Sequence, residues 1–292
     1  MLFSRKYLQQ GRALSDSGEL TTFATGSRTF SMPLLQAAIF TGRVSSVSGN
    51  EVLLPYILTL PSGSHYLEVL EGPFAGQRFE IDAAASSGNT VVLQGAAQSF
   101  AGLADSRIVI RPHHMLGALL APSAFGTEDR VLFFDTLANN FTTLANGGDE
   151  WIDGVLGMNM RPFAAHEAVL VQIRGTGAVL TFTGEVRANN FATPLASGTQ
   201  LIAPGWPVSM AAPVTGLRSG PTPDTADRLR LWDGDISPEL NSYTSYYLDN
   251  GTALPTWKSQ AGEAAPAPLQ NAFHGLFLIR EAPLLLNQQA PW

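Results

Sequence analysis

The chain has 292 residues, enough for one large domain or two ordinary ones, and no cysteine, which excludes a disulfide framework, a thiolate nucleophile and any Cys-ligated metal. Lys and Arg number 17 against 24 Asp and Glu, a net charge of -7 that leaves no cation surplus for a phosphate backbone, so nucleic acid is not an expected partner. Only 14% of residues are charged, where soluble domains carry about 25%, and so neutral a surface suits an extracellular life or burial against identical neighbours.

Residues 1–28 are polar, poorly periodic and punctuated by Gly11, Gly18 and Gly26. They read as an extended N-terminal arm, with Phe3, Tyr7, Leu8, Leu14 and Leu20 as the side chains that would grip a neighbour. Its basic start is not followed by an apolar run of the length a secretory signal needs. Residues 29–112 carry several short strands. Arg43 to Val47 and Glu51 to Leu54 flank the turn Ser48-Gly49-Asn50, a hairpin in which Gly and Asn supply positive φ. His65 to Leu70 and Gln77 to Asp82 form a second pair, and Phe79-Glu80-Ile81-Asp82 alternates apolar and charged faces. With Thr90 to Leu93 and Arg107 to Ile110, the number and spacing predict a small β-barrel or sandwich. The longest apolar stretch, Met115 to Ala121, is interrupted by Gly117 and closed by Pro122, too short to cross a bilayer, so no membrane insertion is expected.

Residues 113–292 contain an internal repeat, with copies at about 113–186 and 187–292. Asp129-Arg130-Val131-Leu132-Phe133-Phe134-Asp135 corresponds to Asp227-Arg228-Leu229-Arg230-Leu231-Trp232-Asp233. Each is followed by an aromatic and Thr-rich segment, then by a lone tryptophan (Trp151 or Trp257), then by a histidine before an apolar strand (His166 or His274). The predicted fold is therefore all-β: an arm, a small barrel or sandwich, and a β domain built from two related repeats.

Residues Arg43 to Leu54, Tyr66-Leu67-Glu68-Val69 with Gly72-Pro73 and Gly76-Gln77-Arg78, and Ile110-Arg111-Pro112-His113 with Leu116-Gly117 resemble an uncharacterised family of secreted, β-rich two-repeat bacterial proteins known mainly from Verrucomicrobia. The similarity runs through both Asp-flanked strands and both tryptophans to Gln289-Ala290-Pro291-Trp292, covering most of the chain from about Thr29. The resemblance implies a two-repeat β fold and an extracellular destination, and it carries no activity or ligand. The chain departs from the family at the N-terminus, where a leader is expected and none is read.

Catalytic constellations are not legible. His113 and His114 are adjacent, so on a strand they face opposite ways and do not share a metal. His166 and His274 read as loop-to-strand residues bonded to backbone, and His65 has no evident partner. Asp129 and Asp135, like Asp227 and Asp233, flank one strand and would lie about 20 Å apart by the usual rise per residue, too far for a glycosidase pair. Asp224, Asp227, Asp233 and Asp235 lack the spacing of a calcium loop. No phosphate cradle and no nucleophile elbow is present, and neither a cofactor nor a metal is expected. Trp151, Trp232, Tyr243, Tyr246, Tyr247 and Trp257 form either a strip that stacks on sugar rings or core packing. The sequence reading is a non-enzymatic structural subunit that assembles with itself into an extracellular fibre, a surface layer or a virion-like particle. The alternative is a secreted carbohydrate-binding or adhesion module with polysaccharide as partner.

Overall fold

The computed structural model describes residues 17–95, 100–212, 216–237, 240–251 and 255–291. It is nearly all β, built from several antiparallel sheets that include a half-barrel.

The half-barrel is a seven-stranded sheet in the order Phe40–Arg43, Arg107–Pro112, His65–Glu71, Arg78–Ser87, Thr90–Leu93, Glu51–Leu53, Ser46–Ser48. Local chemistry explains its hairpins. Ser48 pairs with Glu51, and Gly49 turns the chain at a φ of 62° that a side chain would resist. Val91 and Leu93 point inward from Thr90–Leu93 while their neighbours stay partly exposed, the period-two pattern of a half-buried strand. Together with Leu67, Val69, Ile81, Ile108 and Ile110 they close one hydrophobic core.

Two further lobes share one topology. In the first, Ser17–Phe23 pairs with Ala178–Val186, and Gly26–Ser31 forms the edge of a six-stranded sheet that continues through Ala168–Ile173, Arg130–Asp135, Asn140–Asn146, Trp151–Asp153 and Leu156–Gly157. In the second, Phe191–Leu195 pairs with Leu284–Gln288, and Gly198–Ile202 forms the edge of a sheet that continues through Leu276–Arg280, Arg228–Trp232, Tyr243–Asp249 and Thr256–Ser259. The strands correspond in the same order. Asp129 and Asp227 do the same work in both: each is buried, and each accepts main-chain N–H groups, from Gly126 and Arg174 in one lobe and from Arg218 in the other.

The correspondence moves two boundaries. The segment 1–28 is not an arm throughout. Residues 17–28 supply one strand and the start of a second to the first lobe, and Leu20, taken as part of the arm, sits in register opposite Thr181. Phe3, Tyr7, Leu8 and Leu14 lie outside the described residues. The first repeat therefore begins at its two N-terminal strands, and the half-barrel, running from Phe40 to Pro112 rather than from residue 29, is inserted between those strands and the rest of the repeat.

Candidate functional site

Three lobes meet at one polar junction. His65–Glu71 is the strand that places it, because its first five residues are buried on both faces. Leu67 and Val69 enter the half-barrel core, so alternation sends Tyr66 and Glu68 to the opposite face, against the two repeats. Glu68 is fully buried and accepts hydrogen bonds from Arg187 Nε at 2.8 Å, Arg187 Nη2 at 3.4 Å and Asn189 Nδ2 at 2.9 Å. Arg187, 1% exposed, donates its remaining Nη1 to the Gly205 carbonyl at 2.9 Å and lies 4.0 Å over the Phe191 ring. Arg78 approaches the same ring at 4.3 Å and donates from Nη2 to His166 Nδ1 at 3.0 Å. Since a guanidinium only donates, His166 Nδ1 is the accepting, unprotonated nitrogen.

The electrostatics follow from this packing. Burial alone would raise the Glu68 carboxyl, but the Arg187 charge, hydrogen bonds from Arg187 and Asn189, and the nearby Arg78 hold it below its ordinary value. Burial, reinforced by Arg78, His113 and Arg187, pushes His166 down to about 3. Burial and the neighbouring Arg187 bring Arg78 down to about 10, and burial beside Glu68 lifts Tyr66 to about 12. Perturbed groups in a cluster often mark active sites. Here Glu68 and Arg187 are occupied by each other, by Asn189 and by the Gly205 carbonyl, and Arg78 donates to His166, while the cavity described below and the one on the barrel flank near Ile57 are lined by other residues. The arrangement joins three lobes through buried polar groups.

No family model, curated protein or solved structure matches this chain.

The junction has a backbone component as well. Gly76 donates to the Val69 carbonyl and accepts from the Ala192 N–H at 2.9 Å, joining the barrel hairpin to the second repeat. Its φ is +85°, and a Cβ there would stand 3.0 Å from the Asn190 carbonyl oxygen and 3.2 Å from Ala192 N. Gly76→Ala is expected to lose about 1–2 kcal/mol from the left-handed backbone alone, with more from the crowded main chain. Urea unfolding reads this directly, and an unchanged midpoint would mean that the hairpin does not bear on the second repeat.

The six aromatic residues of the proposed strip are not brought together. Trp151 fills the first-lobe core and donates to the Leu120 carbonyl at 2.6 Å, while Trp257 is buried in the second-lobe core. Tyr247 is buried too. Trp232 donates to the Ser27 carbonyl at 2.6 Å and packs edge-on against Tyr243 at 4.6 Å. Tyr243 in turn meets Phe277 at 5.3 Å, which contacts Phe134 of the first repeat, so these rings fasten one repeat to the other. Trp232 and Tyr246 also line a cavity.

The histidines and carboxylates are likewise dispersed. His113 Nε2 lies 2.8 Å from Glu80, whereas His114 contacts the Leu34 carbonyl and Gln36. Asp224 faces Arg228, Asp227 faces Arg280, Asp233 accepts from Ser242 and Thr244, and Asp235 accepts from Thr29. Among the described residues no group of three or more His, Asp or Glu side chains is placed to hold a metal ion.

Sequence reasoning saw Tyr66, Glu68, Gly76 and Arg78 as a motif but not their partner Arg187. The available signal was Glu68 itself, a carboxylate between Leu67 and Val69 in a strand that had to be covered on both faces. A buried charge requires a counter-ion.

Proposed function

We propose that the protein is a non-enzymatic structural subunit that associates with copies of itself in a repetitive extracellular or virion-like assembly such as a filament or surface layer, the destination that its resemblance to secreted two-repeat proteins also suggests. The observation that carries the reading is the difference between the two edges of the six-stranded sheet. At one edge, Gly26–Ser31 is sealed by the second repeat: Trp232 donates to Ser27, Thr29 N–H donates to Asp235 at 2.7 Å, and Ser31 N–H donates to the Phe273 carbonyl at 2.8 Å. At the other edge, Leu156–Gly157 has no outer strand among the described residues, and Val155, Leu156 and Met160 around it are 94%, 65% and 73% exposed. A protein that stays monomeric blunts such an edge with a very short strand, charge or proline; this edge strand is two residues long, and the side chains around it are apolar. This one displays apolar side chains on a charge-poor surface, which is what pairing with an identical chain requires.

The test is negative-stain microscopy with light scattering on the full chain, on a chain lacking residues 1–16, and on Leu156→Lys. Ordered filaments, sheets or shells from the full chain, lost in Leu156→Lys with an unchanged melting temperature, are expected. The truncation stops at residue 16 because Ser17–Phe23 belongs to the fold; loss of assembly there assigns a gripping role to Phe3, Tyr7, Leu8 and Leu14. A full chain that remains monomeric at high concentration overturns the proposal.

A further inference from the structure

A cavity of ≈ 320 Å³ opens in the second repeat, bounded by the strands Arg228–Trp232 and Tyr243–Asp249, the short helical turn Asp233–Asp235 and the segment 266–271. Its size is at the small end of ligand sites. Trp232 and Tyr246 supply aromatic surface, and Ile236, 78% exposed, stands among the lining residues. The polar groups are few. Gln270 is 2% exposed, yet neither its amide nitrogen nor its amide oxygen has a hydrogen-bond partner. His274 Nδ1 lies 3.1 Å from Asp235 Oδ1, a close contact without hydrogen-bond alignment.

A buried amide left without partners is costly, and a native fold rarely tolerates it without a return. The carboxamide needs a ligand group that both accepts from its nitrogen and donates to its oxygen, and a hydroxyl does both. No Lys or Arg lines the cavity while Asp235 does, so a phosphate or carboxylate would meet a like charge and no counter-ion. Aromatic surface beside hydroxyl-matching amide and carboxylate groups suits a ring with an apolar face and a polar rim. We propose that this cavity binds one neutral sugar ring, either free or as the terminal residue of a longer glycan. Gln270 and Asp235 would engage its hydroxyls, and Trp232 or Tyr246 would cover its apolar face. The proposal is independent of self-assembly, since the cavity is lined by the second repeat and the open sheet edge belongs to the first.

The experiment is a titration of the full chain with glucose, galactose, mannose and N-acetylglucosamine, with oligosaccharides ending in each, and with glucose 6-phosphate, read by tryptophan fluorescence and calorimetry. A saturable response to at least one neutral monosaccharide is expected. Gln270→Leu and Ile236→Arg should each weaken it at least about tenfold. Neither should lower the melting temperature, because one removes an unpartnered amide and the other alters an exposed side chain. Equal affinity for the monosaccharide and its oligosaccharide assigns the site to the ring itself; tighter oligosaccharide binding, equally sensitive to both variants, assigns it to a glycan end. No saturable response to any neutral sugar, a response indifferent to both variants, or a preference for the phosphorylated sugar overturns the proposal.

Discussion

Arg187→Met is expected to be the most damaging single substitution at the three-lobe junction, lowering stability by about 3–5 kcal/mol, because it strands the Glu68 carboxylate in the protein interior. The pair is enclosed on every side: Glu68 by the half-barrel, Arg187 by Phe191, Gly205 and the Trp206 indole, which donates to the Arg187 carbonyl at 3.1 Å. Neither partner can reach water when the other is lost. The companion variant makes the test decisive. Adding Glu68→Gln to Arg187→Met removes the stranded charge and should recover much of the loss, since exchanging a buried pair for neutral groups is often nearly free. Denaturant unfolding of both single variants and the double one yields the coupling energy. Additive effects, or a cost below about 1 kcal/mol for Arg187→Met, would mean that water reaches the pair and that the lobes are held by apolar contact alone.

The second large effect is acid sensitivity. His166 is held neutral down to about 3, while in the unfolded chain it titrates near its ordinary value of 6.5. Below 6.5 the unfolded state takes up a proton that the folded state refuses, so this histidine's contribution is fully present above that pH and is lost as pH falls toward 3. The slope is at most about 1.4 kcal/mol per pH unit. His65 and His114 are also shifted downward, chiefly by burial, and add to the slope in the same direction. His166 keeps a little accessible surface, and water there makes this slope an upper limit. Melting temperatures measured between pH 7 and 4 should fall, and His166→Gln, which retains an acceptor for Arg78, should flatten the curve. A wild-type curve already flat over that interval would show that Arg78 and His166 separate readily, and that the junction opens without unfolding.

Much of the architecture was written locally. Alternation in Thr90–Leu93, glycine at the Ser48–Glu51 turn, and the paired Asp129 and Asp227 each follow from a few neighbouring residues, so strands, hairpins and the repeat could be read. The N-terminal strand could not. Ser17–Phe23 is polar and glycine-punctuated, and what makes it a strand is pairing with Ala178–Val186, a partner that leaves no mark on its own composition. The junction was half legible for the same reason. Glu68 announces a need for compensation, but Arg187 stands after a strand of the first lobe among residues that look like ordinary loop. The cavity was less legible still: Trp232 and Tyr246 read as aromatics of unknown duty, and Gln270 gains meaning only when its amide is seen to be buried without partners.

The insertion of the half-barrel inside the first repeat also dictates an order of events during synthesis. Gly26–Ser31 must wait for Ala168–Ile173, and Ser17–Phe23 for Ala178–Val186, before either can pair. At ribosomal speed of about 5–20 residues per second, that delay is on the order of ten seconds. The half-barrel, whose strands all lie between Phe40 and Pro112, can close in the interval. Once it has closed, its ends hold the two parts of the first lobe near each other and shorten the loop that pairing must bridge. The second repeat needs no such tether, because its strands from Phe191 to Gln288 emerge without interruption. The nascent chain thus carries two unpaired N-terminal strands for about half of its elongation, and crowding of ribosomes on one message is the moment when two copies are best placed to exchange them.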